Sequence, residues 1–532
     1  MLALPRRRLW LAVLALAAVA VVAAACGGGA QEEAAAPAPP SPPTELVRLK
    51  DGLPDFDLPA VTWNSYWYSR YNLGNLVMMS GLGVTFMPDM EGVQAMVKAV
   101  DQGAADGEHV ALPKNPALLK AVYAGGDPTL INAFDGDPTN LANWRWDPTK
   151  MDTTITPSAQ AQTIIKEVEW AKLFNNDSWA GKVTDDFGAM DRFKGVVLFA
   201  EAKMQVDFAL REMRNQDGLF VAAVKHVDGE TTVTDDSVRL ANQLQMLQAL
   251  ADVHSVLHNP QDFNGVYADE TFHQMVAQAA DDLFGRITDM SAEDLQELSL
   301  GAQAYTWYAA TTHDGQRQQE AVDLIKAYGD ELATRAQTDV VERAQAIRGL
   351  IEAGRVLGDQ AYLDAAAAAF NEMVQEYDPA LGYFSSRTDL TIWEVGDIVG
   401  ALNALLKHGG PKVEARQVSQ VLVGFFEAAI NRSGLMQAVP PKEMEASPFE
   451  LQRVGKDLFF GYPTIPTPDV AGAAAVDASA ITMDMEGGRW VVSDGRFDTA
   501  GAMHTANEEV WTFGLVSGFP EVKTAAAALE TR

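Results

Sequence analysis

Amphipathic helical periodicity runs through most of this 532-residue sequence and constrains its fold more than any other feature. Apolar residues recur at spacings of three and four, which places them along one face of a helix. The periodic segments have the length of ordinary globular helices, and Gly, Asp, Asn or Pro separates most of them. The pattern predicts helices over 161–174, 193–214, 236–258, 270–284, 292–311, 317–336, 340–355, 360–377, 392–407, 412–431 and 506–515.

The connectors between these helices repeat as well. A Gly followed by large apolar residues comes after three of the helices, at 217–220, 380–384 and 433–436. The first connector continues through Gly229 to Val233 and predicts a small β-hairpin. About a dozen helices are too many for one bundle and are typical of a closed ring of antiparallel pairs.

The segment 344–370 resembles the helical hairpins of α/α-toroid proteins, which include the six-hairpin glycosidases and the N-acylglucosamine 2-epimerase-like proteins. The resemblance rests on small residues where helices pack, an aromatic closing each hairpin, and Gly358-Asp359 in the turn, and its rhythm extends over 167–516. It implies an all-α fold, an (α/α)6-type toroid with short β-hairpin or β-like connectors. We expect the toroid domain over 161–522 and a C-terminal tail over 523–532. The resemblance supports the fold more than an activity.

The first residues predict export. Three arginines at 6–8 precede an apolar run over 9–25, the pattern of a signal peptide. Ala23 to Ala25 lead into Cys26 and Gly27, which resembles the lipobox of bacterial lipoproteins, although Ala23 stands where Leu is usual. That resemblance implies a lipidated Cys26. The alternatives are ordinary cleavage after the signal peptide, or an uncleaved anchor of roughly 17 apolar residues, the short limit for a membrane span.

Two further observations fit an exported, lipid-anchored protein. Cys26 is the only cysteine, so no disulfide is expected, and the Ala/Pro-rich stretch 26–45 predicts an extended tether. The net charge of −32 repels phosphate backbones and anionic headgroups, so nucleic-acid binding is excluded and membrane attachment is left to the lipid. We expect an extracytoplasmic, membrane-anchored protein of the cell envelope.

The region 46–160 is richer in aromatics and poor in long periodicity, and it predicts an irregular N-terminal arm. One interpretation makes it a ligand-binding surface, with aromatic faces stacking on sugar rings beside an arginine. The other makes it an arm that buries its aromatics against the toroid, with an arginine clamped between tryptophans. The residues concerned are Trp63, Trp67, Tyr68, Arg70, Trp144 and Arg145.

Acidic residues beside aromatics are the candidates for catalysis. Glu394 and Asp397 lie next to Trp393, Glu508 precedes Trp511, and His504 could carry a proton near Glu508; Asp186, after Trp179, is a further candidate. A glycosidase needs two such carboxylates flanking the scissile bond. The alternative is that these acids cap helix N-termini, where they are favoured anyway. Trp393 is also a candidate ligand-binding residue.

His254 and His258 are four residues apart on one predicted helix and are weak candidates for a metal, but no third ligand accompanies them, so no metal site is predicted. No phosphate loop, dinucleotide fingerprint or haem motif is present, and no cofactor is expected.

The sequence favours an exported lipoprotein whose toroid binds or processes a carbohydrate-like ligand, as a glycoside hydrolase or an epimerase-like enzyme. Two alternatives stay open. One is a non-catalytic lipoprotein that binds a glycan or small solute. The other is an accessory or scaffold subunit that uses an exposed apolar patch to bind a protein partner.

Overall fold

The computed structural model describes residues 56–74, 83–86, 90–102, 118–127, 130–132, 144–175, 189–257, 262–436 and 476–509. Helices dominate these residues, and short strands join them. The α-helices are α1 Leu58–Leu73, α2 Met90–Gln102, α3 Pro157–Asn175, α4 Ala189–Glu212, α5 Leu240–Leu257, α6 Glu270–Ile287, α7 Leu295–Thr311, α8 Gly315–Thr334, α9 Val340–Leu357, α10 Gln360–Gln375, α11 Ile392–His408, α12 Ala415–Phe426 and α13 Thr499–Glu508.

Six of the helices form a closed inner ring. Helix α3 packs on α5, α5 on α7, α7 on α9, α9 on α11 and α11 on α13, and α13 returns to pack on α3. A second set lies outside: α4 packs on α3, α6 on α5, α8 on α7 and α9, α10 on α9, and α12 on α11. Helix α1, which packs on α13 and α12, completes the outer set. The fold is therefore the expected (α/α)6 toroid.

Inner and outer helices alternate along the chain, so the inner helices all run in one direction. Their N-termini consequently meet at one end of the toroid. Side-chain contacts confirm this alignment. Gln345, Asp397 and His504 are each the sixth residue of their helices, and Asp397 is hydrogen-bonded to both of the others.

Local sequence explains where these helices begin. The carboxylates of Asp294 and Asp339 accept hydrogen bonds from free backbone N–H groups at the starts of α7 and α9, as the acid-rich segments before those helices predict. Thr391 and Glu394 form a reciprocal capping box at the start of α11. Gly358 ends α9 with a φ of 64°, a left-handed conformation that Gly adopts without steric cost.

Small residues let the helices approach closely. A Cβ at Gly301 of α7 would collide with the ring of Tyr328 on α8, and one at Gly349 of α9 would collide with Leu332. This matches the small-residue pattern that the sequence shows at helix contacts. The surrounding core is continuous and apolar, which is the main source of stability for such a ring.

Short antiparallel sheets form the connectors. The hairpin predicted after residue 217 is present as β8 Ala223–Val227 and β9 Glu230–Asp235. Its turn residues Asp228 and Gly229 have φ values of 52° and 86°. The strands are β1 Gly83–Phe86, β2 Leu118–Val122, β3 Gly125–Gly126, β4 Leu130–Asn132, β5 Trp144–Trp146, β6 Met151–Asp152, β7 Thr154–Ile155, β8 Ala223–Val227, β9 Glu230–Asp235, β10 Tyr377–Asp378, β11 Tyr383–Phe384, β12 Asp389–Thr391, β13 Ala480–Asp484, β14 Arg489–Asp494 and β15 Phe497–Asp498. They pair in the orders β1-β2, β4-β5, β7-β8-β9, β10-β11, β12-β13-β14 and β15-β3-β6.

The region expected as an irregular arm contains regular structure. Helix α1 belongs to the outer ring and buries the rings of Tyr66, Tyr68 and Tyr71. Its aromatics obscure the helical pattern because they are buried on several sides. None of the described helices is both long and apolar enough to cross a membrane. The signal-peptide and tether segments, including Cys26, lie outside the described residues.

Candidate functional site

A cavity of about 600 Å³ opens at the end of the toroid where the inner helices begin. Its lining is mostly polar and comes from the N-terminal turns of α3, α5, α7 and α11. Amides, carboxylates, two serine hydroxyls and an arginine are present, together with the indole of Trp393. The lining residues are Ser158, Val238, Arg239, Leu240, Ala241, Asn242, Gln245, Met290, Ser291, Glu293, Asp294, Gln296, Glu297 and Trp393.

Below this mouth, polar side chains occupy the same depth on five of the six inner helices. Each is the sixth residue of its helix; α7 alone places an apolar residue there, Leu300. We call these five residues the polar ring: Gln162, Gln245, Gln345, Asp397 and His504. Helices that start level with one another and point inward bring the same register position together.

Hydrogen bonds connect neighbouring members of the polar ring. Gln162 donates to Gln245 at 3.3 Å, and Ser158 at the cavity wall donates to the same amide oxygen at 2.7 Å. On the other side, Gln345 donates to Asp397 at 2.9 Å. The amides therefore hold fixed orientations, as a site for a polar ligand requires.

His504 and Asp397 form a dyad in this ring. Nε2 of His504 lies 2.8 Å from Oδ1 of Asp397, while Oδ2 of Asp397 accepts the bond from Gln345. The indole of Trp393 stacks on the imidazole, with ring centroids 3.9 Å apart and planes 8° apart. A carboxylate on Nε2 fixes the tautomer and orientation of the ring.

Glu394 is held by contacts at the start of α11. Its carboxylate accepts a bond from the backbone N–H of Thr391 at 2.8 Å and forms an ion pair with Arg387. Arg387 also pairs with Asp339, the cap of α9, at 2.8 Å. Glu394 thus ties together the starts of α9 and α11, the structural alternative considered for it from the sequence.

Glu508 lies about one helical turn below the dyad, in a buried ion network. Arg348 donates to Glu508 at 2.9 Å and to Glu352 at 2.8 Å, and Arg355 reaches Glu352 at 3.1 Å. Burial alone would raise the pKa of Glu508, but the charges of Arg348 and His504 outweigh it and hold that pKa below the usual glutamate value. A general acid needs the opposite shift, so this carboxylate is arranged as a fixed anion.

Two carboxyls with raised pKa values, those of Glu167 and Glu201, lie away from the cavity. Burial raises the pKa of Glu167, and it raises that of Glu201 to about 8. Gln205 donates to Glu167 at 2.7 Å, and the backbone N–H of Leu119 donates to Glu201 at 2.9 Å. This pair lies in the interface between α3 and α4 and does not line the cavity. We regard it as part of helix packing.

Of the remaining residues proposed from the sequence for the aromatic segment, only Tyr68 has a described side chain, and it does not line the cavity. Tyr68 is buried and donates its hydroxyl to Asn431 at 2.6 Å, which fits the packing interpretation of the aromatic segment. The side chains of Trp63, Trp67, Arg70, Trp144 and Arg145 lie outside the description, although their backbones belong to α1 and β5. Asp186 and His258 lie outside the described residues altogether.

Sequence reasoning missed the amides of the polar ring. Gln162, Gln245 and Gln345 occur in ordinary helical stretches, and glutamine is common on helices. The signal that could have found them is their shared sixth position, which is visible only when each helix start is known. It also missed that His273 and His313 lie beside His254.

Comparison with known proteins gives distant structural similarity. No family model and no curated protein sequence matches the chain. The solved structures similar to it include the cellulase Cel9M of C. cellulolyticum, with a TM-score of 0.44 and 10% identity over 86% of this chain and 97% of that one. A termite endoglucanase, from Nasutitermes takasagoensis, has a TM-score of 0.40 and 13% identity over 82% and 99%. A D-mannose isomerase has a TM-score of 0.40 and 9% identity over 84% and 98%. The ring closure described above is independent of these similarities, because it follows from this chain's own helix contacts.

Proposed function

We propose that the toroid binds a carbohydrate-like ligand in the cavity and that His504, oriented by Asp397, moves a proton on that ligand. The dyad under Trp393, at the level of the polar ring, carries this proposal. A sugar presents hydroxyls that need oriented donors and acceptors, and C–H faces that pack on an aromatic ring. The cavity supplies both kinds of contact. Its volume is within the usual range for small-molecule sites.

An epimerase-like or isomerase-like proton transfer fits the dyad better than glycoside hydrolysis does. Hydrolysis uses two carboxylates, one protonated and one ionised. Among the described candidates, Glu394 is held by Arg387, Glu508 by Arg348, and Asp397 by His504 and Gln345. An imidazole whose orientation is fixed by a carboxylate is suited to abstracting a proton next to a sugar carbonyl.

The test is hydrogen exchange in the full-length chain. A panel of aldoses, ketoses and disaccharides is incubated in D₂O, and NMR follows deuterium entering the carbon next to the carbonyl. We expect exchange with at least one sugar and its loss in His504→Gln and Asp397→Asn, while Trp393→Ala weakens binding in calorimetry. His226→Gln is the matched control, because it removes an imidazole that is bonded to Thr231 on the β8–β9 hairpin.

The outcomes separate the alternatives. Sugar binding without exchange would support the non-catalytic binding protein. Release of reducing ends that depends on Glu394 or Glu508 would support a hydrolase and refute our assignment. Absence of any sugar binding would refute the carbohydrate proposal and favour the scaffold. That last function has little support among the described residues, where the exposed large apolar side chains are only Val227, Val233, Val266 and Met485.

We also propose that the chain is exported and anchored through a lipid on Cys26. The support is the sequence alone: the arginines at 6–8, the apolar run 9–25 and the single cysteine that follows. In a bacterial host, the full-length chain should fractionate with membranes and yield a lipidated N-terminal peptide by mass spectrometry. Cys26→Ser should abolish both results, and Ala30→Ser should leave both unchanged. A soluble wild-type chain would refute the anchor.

A further inference from the structure

Three histidines converge at the opposite end of the toroid from the cavity. His254 lies near the C-terminus of inner helix α5, His273 lies in the first turn of outer helix α6, and His313 lies in the link between α7 and α8. Gln245 of the polar ring and His254 are nine residues apart on α5, about 14 Å along the helix axis. The cluster is therefore separate from the proposed sugar site.

The geometry of this cluster is close to that of a metal site. One ring nitrogen from each histidine lies within 4.8 Å of those of the other two. Nitrogen ligands of a tetrahedral zinc ion, at about 2.0–2.1 Å from the metal, lie roughly 3.4 Å apart, so a small inward rotation of the rings completes the site. His313 is exposed in a short link and can supply that movement.

His273 is already oriented as a metal ligand. Its Nδ1 faces the carboxylate of Glu270 at 3.8 Å. Its Nε2 is buried and has no hydrogen-bond partner among the residues that the structure describes. Metal-bound histidines commonly turn one nitrogen to a carboxylate and the other to the ion, because the carboxylate fixes the tautomer. A buried polar nitrogen without a partner otherwise carries a desolvation cost.

We propose that His254, His273 and His313 bind one divalent transition-metal ion of the class that prefers imidazole, with Zn²⁺ as the probe. Three protein nitrogens leave a fourth position for water, on the side of exposed His313. The ion connects α5, α6 and the loop between α7 and α8. These three parts are adjacent in the ring but separated in the sequence. The acidic surface, with a net charge of −32, attracts cations to the site.

The experiment uses the untagged full-length chain, stripped with EDTA and then dialysed. Calorimetry with Zn²⁺ should give one tight equivalent, and Co²⁺ should give the intense visible bands of a four-coordinate ion. Zn²⁺ should also raise the melting temperature, since it binds the native state.

Two exposed positions make the test independent of folding. His313→Ala should lower the Zn²⁺ affinity by at least about 100-fold, because loss of even an outer hydrogen-bond partner costs about 10–100-fold. Glu270→Gln should lower it by about tenfold. His226→Ala, away from the cluster on the β8–β9 hairpin, is the matched control and should bind as wild type does. Failure of wild type to bind one equivalent, or wild-type affinity in His313→Ala, would overturn the proposal.

Discussion

Replacing Arg348 by Met tests whether the buried ion network stabilises the toroid. Arg348 is 8% exposed, and its guanidinium bridges Glu508 and Glu352. Without it, Glu352 keeps Arg355, but Glu508 loses its nearest cation. Breaking a buried pair in this way costs about 3–5 kcal/mol. A second argument limits this loss of stability to a similar value. Glu508 can take up a proton and become neutral, and protonating an ordinary glutamate at pH 7 costs about 3.7 kcal/mol.

The assay is urea unfolding followed by circular dichroism, with the loss read from the shift in midpoint at constant m-value. Arg348→Met should lose about 3–5 kcal/mol. The double variant Arg348→Met/Glu508→Gln removes the orphaned charge and should recover about half or more of that loss. If the single variant is as stable as wild type, or if the double variant is no more stable than the single one, the reasoning is refuted.

The same network predicts a pH dependence with a definite sign. Glu508 has a pKa that is lowered in the folded state, so its contribution is fully present above the ordinary glutamate value, about 4.3, and is lost as pH falls through the lower folded value. The stability difference between wild type and Glu508→Gln should therefore shrink on acidification. A difference that grows at low pH would contradict this assignment.

Three further predictions concern other contacts. Gly400→Ala should lower the free energy of unfolding by about 1–3 kcal/mol, because its Cβ would collide with the Glu508 carboxylate. Gly285→Ala, in open space on α6, should raise it by about 0.5–1 kcal/mol. Equal effects in urea unfolding would contradict this prediction. Thr391→Ala should cost about 0.5–2 kcal/mol through loss of the α11 cap while leaving sugar affinity unchanged in calorimetry; a loss of affinity without a loss of stability would place this turn in the site. Burial raises the pKa of Asp477 to about 7, so the stability tied to its neutral form is fully present near pH 4 and lost as pH rises through 7. Asp477→Asn should then gain up to about 4 kcal/mol over wild type at pH 8, measured as a pH series of unfolding midpoints, and a pH-independent difference would show that the group does not titrate in this range.

The periodic helices and the toroid could be predicted from sequence because each inner or outer helix carries its own apolar stripe. The last inner helix shows where this fails. The sequence predicted a helix over 506–515, whereas α13 begins at Thr499. It packs on α11 along its length through Gly396, Gly400 and Gly501, where a Cβ would clash. Close packing by small residues leaves no apolar periodicity to detect, so His504 falls outside the helix predicted over 506–515 although it lies within α13.

The candidate site could not be predicted from the sequence for the same reason. Gln345, Asp397 and His504 span 160 positions of sequence and meet only because three helices begin level with one another. Their alignment is a property of the ring closure, and an error of two residues in one helix start turns the side chain away from the axis. Single-sequence periodicity defines helix starts no better than that.

Parallel inner helices also explain why acidic residues gather at one end of the toroid. All six N-termini point to the cavity end, and each carries free N–H groups and a partial positive charge. Asp294, Asp339 and Asp498 accept these N–H groups, and Glu394 completes a cap. Acids beside aromatics therefore gather at this end whether or not the protein is an enzyme. Helix starts do not explain a histidine held by a carboxylate two turns inside the ring, and for that reason our proposal rests on His504 and not on an acid at a helix start.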